Sequence, residues 1–112
     1  LAKLKVIGSL LLCILLLSAC GGYKEGQEYI LKDNIIAYGS PEDYQDQLED
    51  TDGEINVDGE TINMLFEDYS IKIVDADKKN KLILVEILDG SDEGSQWWVP
   101  LNDFKQYTEK KK

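Results

Sequence analysis

Apolar residues are distributed along this chain in three regimes. Val6 to Leu17 is continuous apolar sequence apart from Gly8 and Ser9. Residues 41–60 are acidic and rich in turn formers. The remainder after Glu28 alternates apolar with polar positions, the period of half-buried strands. "EYILKDNIIAYGS" predicts one long strand or a bent pair, broken around Lys32–Asn34. "SPEDYQDQLED" carries a helix start: Ser40 can cap, Pro41 suits the first helical position, and Asp43 completes a Ser-x-x-Asp capping box. Tyr44 and Leu48 fall on one face of that helix, which should end before Gly53. Asp52-Gly53 and Asp58-Gly59 are hairpin-type dipeptides, and Ile55 and Val57 alternate between them as in a short strand.

The strand signals strengthen from Thr61. "TINMLFEDY" sets Ile62, Met64 and Phe66 against Asn63, Leu65 and Glu67. "SIKIVDAD" puts Ile71 and Ile73 on one face, and Lys78–Asn80 is a polar turn. In "KLILVEILDG" the set Ile83, Val85 and Ile87 is purely apolar and should face the core, because the opposite set contains Glu86. "SQWWVPL" is the last clear strand, and Pro100 must end it or sit at an edge. "NDF" reads as a single turn, and residues 106–112 as a charged, frayed tail. Five or six short strands with one short helix in an early loop imply a mainly β fold, a small β-barrel spanning residues 28–105.

The apolar run near the start has the length of a signal-peptide core and falls short of the roughly 20 residues a spanning helix needs. Lys3 and Lys5 precede it and Leu17-Ser18-Ala19-Cys20 follows it. This order closely resembles the lipobox of bacterial lipoprotein signal peptides. The resemblance implies that residues 1–19 are removed and that Cys20 carries a covalent lipid. It also implies a membrane anchor on the extracytoplasmic face, with the outer membrane as the site if the cell is Gram-negative. Cys13 would leave with the leader, so one cysteine remains, too few for an internal disulfide. Residues 20–27, "CGGYKEGQ", then read as a flexible tether.

Charge narrows the partners. The chain has 12 Lys+Arg against 22 Asp+Glu, with no His and no Arg; without Lys3 and Lys5 its net charge is about −12. Such acidity argues against nucleic acid, whose phosphates need a basic face. It argues equally against a domain lying flat on anionic lipid by its overall charge, so the lipid must do the anchoring. Solubility explains the acidity most simply. A cationic partner or loosely held divalent cations are the sharper explanations.

"EYILKDNIIAYGSPED" and "WWVPLNDF" resemble the opening strand and the closing strand-plus-turn of bacterial SH3-like domains, and "YSIKIVDADKKNKLILVEILDG" resembles their central hairpin. Two features depart from the pattern: Gly39 stands where an arginine often precedes Ser-Pro, and residues 41–60 form a longer, more acidic insertion. The resemblance implies an SH3-like barrel with an aromatic ligand groove. Trp97 and Trp98 are adjacent and so point to opposite faces of a strand. Trp97 shares its parity with Val99 and suits the core; Trp98 then faces outward near Pro100, with Tyr38, Tyr69 and Phe104 as candidate neighbours. The alternative is that both tryptophans pack, one of them beneath Tyr44 and Leu48. The partner would be an envelope protein, a peptide or peptidoglycan. A protective lipoprotein of the immunity or phage-exclusion type, blocking an incoming factor, is the competing function.

Two other chemistries find only partial signals. "DTDGEIN" has the core of a calcium loop, but placing Asp52 and Gly53 at its fifth and sixth positions puts Leu48 and Gly59 at the ends, where calcium needs carboxylates. Weak cation binding by Asp50, Asp52, Glu54 and Asp58 is what remains, as a structural role. Catalysis has no His base and no mature cysteine beyond the lipid site, so no catalytic residue is assigned and no cofactor is expected beyond the lipid.

Overall fold

The computed structural model describes residues 23–49, 55 and 57–111. The leader, Cys20 and the candidate ligands Asp50, Asp52 and Glu54 lie outside the described residues. Among the described residues seven strands and two helices follow in the order β1 (Glu28–Leu31), β2 (Ile35–Tyr38), α1 (Pro41–Glu49), β3 (Ile62–Leu65), β4 (Ser70–Asp77), β5 (Leu82–Ile87), β6 (Gln96–Pro100), α2 (Leu101–Tyr107) and β7 (Thr108–Lys110). The strands form one antiparallel sheet in the order β3-β2-β6-β5-β4-β1-β7. Its edges β3 and β7 do not pair, so the sheet is not a closed barrel. The count exceeds the five or six strands and single helix expected.

Local chemistry explains most boundaries. Asp33 Oδ1 accepts the Asn34 N–H at 2.8 Å, and Asn34 Oδ1 accepts that of Glu67 at 2.9 Å, which holds the corner between β1 and β2. Ser40 Oγ accepts the Asp43 N–H at 3.1 Å and caps α1. Asp77 accepts both the backbone and side-chain N–H of Asn80, closing the β4–β5 turn. A bulge between Ile73 and Asp75 bends β4. Pro100 ends β6, and α2 starts at the next residue.

One face of the sheet supplies the core. Tyr29, Leu31, Ile35, Ala37, Leu65, Ile71, Ile73, Ile83, Val85, Ile87, Trp97 and Val99 come from six strands, and Phe104 of α2 joins them. Each buried aliphatic side chain of this kind contributes about 1.5–3 kcal/mol of transfer free energy. The pure apolar set of β5 faces inward as its pattern required. In β3 the outcome differs: Leu65, from the set shared with Asn63 and Glu67, enters the core, while Phe66 is 48 % exposed. Cross-strand pairing decides this, because Leu65 lies opposite the core residue Ile35.

Three other expectations change. Ile55 and Val57 are exposed and belong to no strand. The single turn at "NDF" is a seven-residue helix, α2. The charged tail is ordered through Lys111, since β7 pairs with β1 and the Lys111 N–H donates to Glu28 O at 2.9 Å. Among the described residues, no helix is long and apolar enough to cross a membrane.

Candidate functional site

Trp97 and Trp98 part as strand geometry demands. Trp97 is buried in the core, and its indole N–H donates to Ser95 Oγ at 3.0 Å. Trp98 lies on the opposite, outer face and is half-buried. Its Cα partners are Tyr38 on β2 and Leu84 on β5, and Tyr38 in turn faces Ile62 on β3. Directly opposed residues share a face. A row of Ile62, Tyr38, Trp98 and Leu84 therefore crosses four strands on the outer side. Pro100 lies on the same face, paired with Leu82.

The helix α1 covers only part of this face. The Tyr44 ring meets Tyr38 edge-on at 5.1 Å, and the Gln45 side-chain amide donates to Asn80 Oδ1 at 2.5 Å, tying α1 to the β4–β5 turn. Leu48, one turn beyond Tyr44, is 66 % exposed, so it does not cover Trp98. Burial raises the Tyr38 hydroxyl's pKa above the usual phenol range, with Tyr44 and the Asp103 carboxylate adding to the effect. Asp103 is itself raised above the ordinary carboxylate range by burial.

Beyond Trp98 the face becomes polar. A shallow groove of about 210 Å³ runs beside Glu25, Lys72, Val74, Glu86 and Gln96. Lys72 Nζ stands 3.8 Å from Glu86 Oε2, and Gln96 Nε2 donates to Glu86 Oε1 at 3.3 Å. The face thus combines a half-buried indole with partly exposed Leu84 and Pro100 and a hydrogen-bonding border, while Tyr38, Ile62 and Leu82 beside them are buried. That combination suits the binding of an extended ligand, with the ring supplying contact area.

Of the residues named from sequence, Tyr38 and Pro100 share the outer face with Trp98, but Tyr38 is buried, packed edge-on against Tyr44, and is not an exposed groove residue. Phe104 does not share that face: it is fully buried, with Tyr23 and Tyr29 edge-on at 4.8 Å each. Tyr69 stands apart on the β3–β4 turn, edge-on to Phe66 at 5.8 Å and bonded to Ser91 Oγ through its hydroxyl at 3.1 Å. Leu84 belongs to the face and was missed; its place in the set opposite Ile83 and Val85 was the available signal.

Asp58 is the described member of the acidic set, and its carboxylate is occupied. It accepts the N–H groups of Glu60, Thr61 and Ile62 and the Thr61 hydroxyl at 2.6–3.1 Å. Those bonds, the Thr61 hydroxyl's first and then the three amides', hold it well below the usual carboxylate range. Among the described residues no group of three or more Cys, Asp or Glu side chains is placed to hold a metal. The chain matches no protein-family model, no curated protein and no solved structure.

Proposed function

We propose that this chain is a lipid-anchored module of the extracytoplasmic envelope that docks on a protein, peptide or cell-wall component through the outer face around Trp98. The observation that carries the reading is Trp98 itself, half-buried between the buried Tyr38 and the partly exposed Leu84 on a face that α1 leaves partly open. A large ring presented this way buries much area at little entropic cost, the character of a binding hot spot. The single antiparallel sheet around one core supports the mainly β part of the SH3-like reading, and the lipobox at Leu17–Cys20 supplies the anchor.

Co-sedimentation of soluble residues 23–112 with purified cell-wall sacculi tests the docking, with wild type beside Trp98→Ala. Binding that the substitution abolishes supports a wall-docking module. Absence of binding by both redirects the search to protein partners. A protective lipoprotein is the second reading, favoured by nine acids and no lysine between residues 42 and 60, which fit a cationic target. Cys20→Ser should abolish acylation and membrane retention; acylation persisting in that variant would defeat the anchor.

A further inference from the structure

Residues 23–27 pack on the domain instead of forming the expected tether. The Tyr23 ring meets Phe104 edge-on at 4.8 Å and Tyr29 at 5.7 Å. The Gly26 N–H donates to Ile73 O at 2.7 Å, Gln27 O accepts the Ile73 N–H at 2.9 Å, and the Gln27 N–H closes a turn onto Lys24 O at 3.2 Å. By Tyr23, three residues after Cys20, the chain already belongs to the folded domain. Even fully extended, that much chain spans only about 11 Å.

The same segment reaches the outer face. Glu25 and Gly26 line the shallow groove together with Lys72, Val74, Glu86 and Gln96. Gln96, Glu86 and Lys72 are opposed in one row across three strands. The next row on that face holds Trp98 and Leu84, about 7 Å along the strands. Glu25 is five residues from Cys20, at most about 18 Å of chain. A lipid on Cys20 therefore keeps the groove, with Trp98 one row away, beside the bilayer. We infer that the partner of this face is an extended extracytoplasmic segment of a protein held in the same membrane, met near the level of the headgroups. One half-buried ring and a shallow groove offer little contact area, in the range of weak and transient interfaces. Weak contact suffices when both partners are confined to one surface. A short link raises the effective concentration of a target within its reach and gives none for a target beyond it. Lys72, Glu86 and Gln96 present a cation, an anion and an amide along the groove, which suits the backbone and mixed side chains of a peptide segment.

The inference rests on the docking and lipid-anchor readings, and its test lets each fail by itself. The full chain carries a cleavable photo-crosslinking residue at the exposed position Gln96, which leaves a tag on whatever it meets, and is irradiated in the cells that make it. Mass spectrometry of the same chain reads whether Cys20 is acylated, so a missing anchor is seen directly. The tagged partner should resist extraction by alkaline carbonate and need detergent for release, as an integral membrane protein does. A Gly-Ser insertion between Gly22 and Tyr23 leaves the domain's own contacts intact; about 12 residues add roughly 20 Å of mean reach and should lower tagging several-fold. Trp98→Ala should lower it as well. A tag on sacculi or on a soluble protein, or tagging that the insertion leaves unchanged, would overturn the inference while a loss on Trp98→Ala still upheld the docking reading. Tagging that Trp98→Ala leaves unchanged, or none in the wild type, would overturn both.

Discussion

Replacing Phe104 by alanine removes a ring that is fully buried and holds the rings of Tyr23 and Tyr29 edge-on at 4.8 Å. Truncating a core phenylalanine costs about 3–5 kcal/mol in lost transfer energy and residual cavity. The paired edge-to-face contacts place this site toward the upper end, since each such contact contributes about 0.5–1.5 kcal/mol beyond area. A domain of this size is stabilised by only about 4–13 kcal/mol in all. The substitution therefore removes a third or more of the total. Urea unfolding of residues 23–112, followed through the fluorescence of buried Trp97, reads the loss directly. With a slope near ~1.5 kcal/mol per molar urea, the midpoint should fall by about 2–3 M, or the variant should be unfolded from the start. Phe104→Leu keeps most of the volume and should remain folded with a smaller loss. In that background Tyr23→Ala should be less costly than in wild type, because the two rings share a contact. A midpoint shift below about 0.5 M for Phe104→Ala would refute the assignment of α2 as the plug of the core.

Trp97→Ala should destabilise by about 3–5 kcal/mol and Trp98→Ala by less, because one ring is buried and the other half-buried; thermal melts of the two variants check the order. Gly90→Ala places a methyl carbon 2.6 Å from Tyr69 Cε1 at a backbone φ of +87°, and should cost about 1–3 kcal/mol in urea unfolding; Tyr69→Ala in the same chain should recover the steric part but not the strain. Asp58 has a folded pKa below its unfolded value, so its contribution is complete above about pH 4 and is lost as pH falls from there. Asp58→Asn should therefore melt below wild type at neutral pH, with the gap narrowing on acidification; a gap constant down to pH ~2 would contradict the hydrogen-bond origin of the shift.

Where neighbouring residues settle the geometry, pattern alone was sufficient. The corner at Lys32–Asn34, the Ser40 cap, the Lys78–Asn80 turn, the stop at Pro100 and the opposed faces of Trp97 and Trp98 all follow from local dihedral and hydrogen-bonding preferences. The inward set of β5 was legible because one of its two faces carries a glutamate. Tertiary structure decided what depends on distant pairing. β3 has apolar residues on both faces, and only the alignment of Leu65 with Ile35 fixed which face turned inward. Phe104 entered the core, rather than the binding face, because α2 folds back over residues that lie some 75 positions earlier in the chain, Tyr29 among them. The lysine-rich tail became β7 because β1 offered it an unpaired edge, and Tyr23 to Gln27 became part of the domain through Ile73 and Phe104. A charged tail and a glycine-rich linker have compositions that permit order without requiring it. Long-range hydrogen bonds and ring contacts, which no local pattern encodes, brought them into the fold.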